Sequence, residues 1–403
     1  MGYGGVTMRR ILPMLLLLAG CDDAPTQSPT VDLDAAVAAD GGAPPPDIDG
    51  GSSPPGSMDA VAPPSPTPGA CEPDAIVTLS EAEITIRRWG RERPSSAMIG
   101  MTLTGEPCGR LSARSDNAMV SAALTDEALV VWLAEGSLRS GRHQAEVRVG
   151  VGDEPALATL TVVLEILAGA APEAPRHGLL IGIDGMRSDA FEVAHTPNMD
   201  RLADGGDWTV EATTQLEGPT LSGPGWGSIL SGVDVNKHGV TDNGDVNLDP
   251  DYPSYLQRVR TAMDIPTAGA LQWAPLLTMV GAEALDEGTT GDHEMVTADM
   301  LRMLGMEYRA LFIHFDDVDH AGHASGFAIG NPEYMEAIEQ VDAAIGELMD
   351  AILDRPTVAD EEWLLVVTTD HGGRGTGHGP RDEEHWRIPF IVSGPSVVPG
   401  SLG

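Results

Sequence analysis

Three apolar runs in the second half of the chain, each ending on acidic residues, constrain its fold more than any other feature. Gly178 to Ile183 ends in Asp184-Gly185. Ala310 to His314 leads into Asp316 to Asp319, and Trp363 to Val367 into Thr368-Thr369-Asp370-His371. Near-continuous apolar runs of this length, without alternation, are strands buried on both faces. Trp208 to Thr213 and Ile388 to Val392 read as further strands. Between them, Tyr255 to Met263, Asp292 to Leu304 and Pro332 to Leu353 carry apolar residues at helical spacing. The last has Met335, Ile338, Val341, Ile345, Leu348 and Ile352. Strands alternating with helices predict an α/β domain over 177–403, with a mainly parallel sheet flanked by helices. Sites in such sheets form beyond the carboxyl ends of the strands, where these acidic groups stand.

The first part of the chain has a different character. Met8-Arg9-Arg10 is basic, Ile11 to Leu18 is apolar but too short to span a bilayer, and Leu18-Ala19-Gly20-Cys21 follows. This pattern resembles a bacterial lipoprotein signal. By that resemblance residues 1–21 are a signal peptide and Cys21 is the lipid-attachment site. The chain would then be anchored in the bacterial cell envelope, on its periplasmic side or outer surface. Residues 22–70 are rich in Pro, Gly, Ser, Ala and Asp and are expected to be a disordered linker. From 71 to 167 short alternating runs recur, at Ala75 to Leu79, Glu83 to Arg87, Ala97 to Leu103, Ala128 to Leu133, His143 to Val149 and Ala158 to Ile166. They predict a small antiparallel β-sandwich. The stretch from Gly136 to Val149 resembles immunoglobulin-like modules of the BACON type, which implies a spacer or a module for glycan or surface contact. Of the three cysteines, Cys71 and Cys108 are candidates for one disulfide in an oxidising compartment.

The 23 basic residues against 61 acidic ones give a net charge of -38. That field disfavours nucleic acid and anionic lipid surfaces as partners. A small anionic substrate needs local cations to offset it, which bound metals would supply.

The stretch from Glu217 to Asn243 holds the candidate nucleophile. A turn-rich segment with Ser222 and Pro224 runs into an apolar helical piece, Trp226 to Leu230, then passes Gly232, His238-Gly239 and Asn243. Taken alone, Ser222 reads first as a helix cap, and the nucleophile reading gains from its partners elsewhere in the chain. Elsewhere stand Asp184, Asp319 with His323 four residues on, Asp370-His371, and His378 between two glycines. Mixed carboxylate and imidazole groups suit zinc or a similar metal, and two adjacent ions suit displacement at phosphorus.

The order Asp184-Gly185-Met186-Arg187, Ser222, His238-Gly239, Asn243, Asp319 to His323, Asp370-His371-Gly372 and His378-Gly379 resembles the alkaline phosphatase superfamily, in particular its type I phosphodiesterase/nucleotide pyrophosphatase branch. The resemblance covers about 177–400. It implies two divalent metal ions, usually Zn2+. Asp184, Asp370 and His371 would hold one; Asp319, His323 and His378 would hold the other. Ser222 would touch both ions and attack the substrate, with helix N–H groups and Asn243 donating to the phosphoryl oxygens. It implies hydrolysis of phosphate esters, diesters foremost, through a phosphoserine intermediate. A phosphomonoesterase, a sulfatase and a non-catalytic surface-binding protein are the other readings. The chain departs from the branch in having Ser222 for its usual Thr, Gly223 for the aromatic residue that stacks on a nucleotide base, and Gly225 for its usual Asn. Ser222-Gly223-Pro224-Gly225-Trp226 also lacks the Cys-x-Pro-Ser-Arg-like signature of sulfatases. The branch normally continues with another helix beyond Gly394-Pro395.

Overall fold

The computed structural model describes residues 75–92, 96–214, 217–281, 283–398, 400 and 402. The expected signal peptide, the linker, Cys21 and Cys71 lie outside the described residues. Cys108 is disulfide-bonded.

Eight strands build the N-terminal sandwich: β1 (Ile76–Leu79), β2 (Glu83–Trp89), β3 (Ser96–Thr104), β4 (Leu111–Ser115), β5 (Val120–Leu124), β6 (Ala128–Leu133), β7 (Gly141–Val151) and β8 (Ala158–Leu167). They form two four-stranded sheets, β1-β3-β6-β5 and β2-β8-β7-β4. Inward residues such as Ile99, Leu129, Val131, Val147 and Val162 are buried and fill the space between them. The expectation of a wholly antiparallel sandwich is corrected at one pair. β2 runs parallel to β8, with Trp89 opposite Leu167. The parallel pairing carries both strand ends to the same edge, where Trp89 and Leu167 join the core of the second domain.

The C-terminal domain is a seven-stranded sheet of order β10-β15-β14-β9-β13-β11-β12. Its strands are β9 (Arg176–Ile183), β10 (Gly206–Thr213), β11 (Thr267–Leu271), β12 (Glu287–Thr290), β13 (Ala310–Phe315), β14 (Glu362–Thr368) and β15 (Arg387–Ser393). β14, β9, β13, β11 and β12 are mutually parallel, while β15 and β10 are antiparallel to their neighbours. The helices are α1 (Ser188–Phe191), α2 (Pro197–Asp204), α3 (Ser222–Ser231), α4 (Val235–His238), α5 (Tyr255–Met263), α6 (Pro275–Val280), α7 (His293–Leu304), α8 (Asp317–Ser325), α9 (Pro332–Leu353) and α10 (Glu383–Trp386). On one face Leu179, Ile181 and Ile183 of β9 pack with α2, α7 and α9. On the other, Leu180 packs with α3, α5 and α6. Cover on both faces is why these strands read as unbroken apolar runs. Caps set several helix starts: Ser254 accepts from the N–H of Gln257, Asp292 from Met295, and Asn331 from Glu333.

The two domains share buried surface. Trp89 is fully buried, and the Arg201 guanidinium lies over its ring at 6.0 Å. Arg142 of β7 reaches Asp350 of α9 and Asp354 just past its end, both at 2.7 Å, while also pairing with Glu165. Removing a buried indole costs about 3–5 kcal/mol in typical cores. Trp89→Ala is therefore expected to lower the unfolding free energy by about that amount in equilibrium denaturation; a change below about 1 kcal/mol would mean that the interdomain core is not closed around this ring.

Candidate metal centre

β14, β9 and β13 lie side by side, and their carboxyl ends deliver the acidic groups to one place. Asp184 follows β9, Asp370 and His371 follow β14, and Asp316 leads from β13 into α8, which carries Asp319 and His323 one turn apart. The i,i+4 spacing puts that pair on one helix face. His378 comes from the loop after β14. That loop is bolted to the segment before Ser222: the Thr220 hydroxyl donates to the Pro380 carbonyl (2.8 Å), and the Gly379 N–H donates to the same hydroxyl (3.1 Å).

Ligand-type atoms converge in two groups, Asp319 with His323 and His378, and Asp184 with Asp319 and His371; within each they lie no more than 4.8 Å apart. Asp370 adjoins the second group, its Oδ2 3.2 Å from His371 Nε2. Asp319 stands in both, and the rings of His371 and His378 stack at 3.8 Å across the boundary. These groups differ from the expected division at one residue: Asp319 converges with Asp184 and His371 as well as with His323 and His378.

The imidazole tautomers follow from their partners. Nδ1 of His371 faces the Gly372 carbonyl (3.0 Å), that of His323 the Thr376 carbonyl (2.9 Å) and that of His378 the Thr220 carbonyl (2.8 Å). A carbonyl only accepts, so each Nδ1 carries the hydrogen and each Nε2 presents a lone pair. Those lone pairs point at other acceptors. His323 Nε2 is 3.0 Å from His378 Nε2 and 3.2 Å from Asp319 Oδ2. His378 Nε2 is 3.6 Å from Asp319 Oδ1, and His371 Nε2 is 3.6 Å from Asp184 Oδ1. Asp184 Oδ1, Asp319 Oδ1 and Asp370 Oδ2 are buried without a hydrogen-bond partner. Acceptors facing acceptors at these distances need protons or cations between them. Imidazoles held through Nδ1–H by carbonyls are also the usual outer support of metal ligands. The donor set fits two divalent ions.

Electrostatics agree. Two carboxylates 4–5 Å apart repel by roughly 3–4 kcal/mol at an effective dielectric near 20. Burial, then the neighbouring carboxyl, pushes Asp184 up to about 8 and Asp319 to about 9, and Asp370 well above the ordinary range. Burial also keeps the imidazoles neutral: His371 is pushed down, and His378 to about 3.

Ser222 is the first residue of α3, following the extended Leu221, so the helix begins four residues before the expected Trp226. Pro224 is tolerated there because a first-turn N–H has no helical partner to lose. Ser222 is buried, and its Oγ lies 3.4 Å from His371 Nε2. One expectation is corrected. The helix start does not offer a fan of N–H groups: Asn243 Oδ1 takes the Gly223 N–H at 2.7 Å, Pro224 has none, and the Gly225 N–H bonds the Leu221 carbonyl. Because a backbone N–H can only donate, Asn243 must turn its oxygen to Gly223, and its amide hydrogens take no part in that bond. His238, part of the motif, lies away from the ligand groups. Its Nδ1 accepts from the Val240 N–H (3.1 Å) and its Nε2 meets the Ser228 hydroxyl (3.0 Å), so it ties α4 to α3.

Three further residues outside the sequence motifs support the site. Thr220 joins the nucleophile segment to the His378 loop. Trp226 and His314 both contact Asp184. The only sequence signal for His314 was a histidine inside an otherwise apolar strand.

The fold and these ligand groups define an α/β metalloenzyme. The family described as Type I phosphodiesterase / nucleotide pyrophosphatase matches residues 179–282, and the Metalloenzyme superfamily matches 284–401. The chain belongs to the alkaline phosphatase superfamily. A phosphopentomutase of Edwardsiella ictaluri is 29% identical over 163 residues, 40% of this chain and 36% of that protein. The chain thus spans about a third of the length of such curated relatives. A 2-O GAG sulfatase structure aligns with TM-score 0.45 and 14% identity over 54% of this chain and 64% of the other. Murine ectonucleotide pyrophosphatase/phosphodiesterase 5 aligns with TM-score 0.40 and 18% identity over 49% and 57%.

The carboxyl shifts give a pH signature. With raised folded-state values, metal-free protein is stabilised by its bound protons below the ordinary carboxylate range and loses that stability as pH rises through about 8 to 9. Divalent ions must displace those protons, so their binding strengthens over the same window. The Tm difference between metal-loaded and metal-free protein should therefore widen from about pH 6 to about pH 9. A constant or narrowing gap in scanning calorimetry would count against these carboxyls as ligands.

Proposed function

We propose that the C-terminal domain hydrolyses phosphate esters, diesters in preference to monoesters, with Ser222 as nucleophile. The observation that carries this reading is the position of the Ser222 hydroxyl, at a helix start and within 3.4 Å of a candidate metal-ligating imidazole. The match of residues 179–282 to the type I phosphodiesterase family supports it, since that span contains the nucleophile helix. In this reading Asp319, His323 and His378 hold one divalent ion and Asp184, Asp370 and His371 the other, zinc being favoured by the mixed donors. When bound, the ions supply positive charge to the attacking and leaving oxygens. Ser222 Oγ attacks phosphorus, the P–O bond to the leaving alcohol breaks, and a phosphoserine forms. Water then cleaves it, returning the serine hydroxyl and releasing the phosphate product. The Asn243 amide donates to a non-bridging oxygen.

The segment beside Ser222 bears on the substrate. A Cβ on Gly223 would sit 2.3 Å from the Asp242 carbonyl oxygen, so the Asp242-Asn243 backbone fills the place where a side chain at that position would stand. No ring can be offered there to a base, which favours substrates recognised at the phosphoryl group. The net charge of -38 also favours a small substrate over nucleic acid. Anchorage of the chain in a bacterial envelope through Cys21, with the sandwich making glycan or surface contacts, belongs to the same proposal.

A panel of aryl phosphate diester, aryl phosphate monoester and aryl sulfate, assayed with added zinc, tests the reaction class. The diester should be turned over fastest, and Ser222→Ala should reduce turnover on the order of 10³-fold or more while metal content is unchanged. Preferred sulfate turnover, or an active Ser222→Ala variant, would contradict the proposal.

A further inference from the structure

Asp184, a candidate ligand, is met by two ring nitrogens. It is buried, and its two oxygens differ. Oδ2 accepts the Trp226 indole N–H at 2.8 Å and meets His314 Nε2 at 3.2 Å. Oδ1 has no hydrogen-bond partner and faces His371 Nε2. His314 lies on the strand adjacent to β9 and is fully buried; its Nδ1 takes the Trp273 N–H at 3.5 Å. Because a backbone N–H can only donate, the ring hydrogen stands on Nε2, directed at Asp184. The two donors brace each other, the indole and imidazole meeting edge to face at 4.9 Å.

The main chain makes room for this arrangement. Gly182, two residues before Asp184 on β9, leaves the space that the Trp226 ring occupies; a Cβ there would approach Trp226 Cη2 to 2.3 Å. Trp226 lies on α3, four residues after Ser222, so the same helix that starts at the nucleophile reaches the ligand with its next turn.

We infer that Trp226 and His314 are positioning residues, a two-donor clamp that occupies one oxygen of Asp184 and presents the other to a divalent ion at the Asp184–Asp370–His371 position. The clamp holds Oδ2 and leaves Oδ1 as the oxygen that would be available to an ion. It couples that position to the nucleophile helix, and it leaves the Asp319–His323–His378 position untouched. Donors that orient ligating groups typically alter metal affinity by about 10–100-fold when removed.

The inference rests on the two-ion reading of the site, and one experiment separates the two. The full chain, loaded with zinc, is dialysed against graded chelator and its zinc content measured. Wild type should hold two ions. Trp226→Phe and His314→Leu should lose one ion at roughly 10–100-fold lower chelator strength while the second is retained as in wild type. His314→Gln, which keeps a side-chain N–H donor, should recover most of the difference. Fewer than two ions in wild type would fail the two-ion reading itself. Two ions in wild type with both variants unchanged, or with both ions weakened equally, would overturn the clamp. Should Trp226→Phe not fold, the comparison of His314→Leu with His314→Gln decides alone.

Discussion

Lone pairs that face lone pairs govern this structure. Three imidazole Nε2 atoms and the free oxygens of Asp184, Asp319 and Asp370 converge with no ring hydrogen among them, because each Nδ1–H is committed to a carbonyl. Such an arrangement is costly unless protons or cations enter it. Buried carboxyls that hold protons into the alkaline range are the metal-free response; divalent ions are the alternative that the mixed donors favour. The surrounding fold serves to hold these groups in place against their repulsion.

That support comes from several directions. Three adjacent strand ends supply Asp184, Asp316 and Asp370-His371, and α8 projects Asp319 and His323 from the turn after β13. Thr220 ties the loop of His378 to the segment that carries Ser222. The N-terminal sandwich contributes at one remove. Its parallel β2–β8 pair inserts Trp89 and Leu167 into the core beneath α2 and α9, which makes it a fixed part of the same body.

Much of this was legible in the sequence, for physical reasons. Strands such as β9, β13 and β14 are buried on both faces, so composition alone marks them, and polar residues at their ends stand out. Weaker patterns were silent. β11 reads Thr-Ala-Gly-Ala-Leu and β12 Glu-Gly-Thr-Thr, small or polar residues with little strand signal. The first turn of α3 is hidden because Ser-Gly-Pro-Gly is a poor helix former; in the fold Gly223 packs against the Asp242 carbonyl and Gly225 against Asp370. The ligand residue types could be picked out one by one, but which carboxylate faces which imidazole depends on contacts between residues far apart in sequence. The same holds for Asn243, whose bond to the Gly223 N–H corrects the expected row of free helix donors.

Anomalous diffraction from zinc-loaded crystals, recorded on either side of the metal absorption edge, addresses the core of this description directly. Two peaks are expected, one about 2.0–2.2 Å from ligand atoms of Asp319, His323 and His378, the other at similar distances from Asp184, Asp370 and His371. A single peak, or peaks away from these six residues, would contradict the two-ion centre.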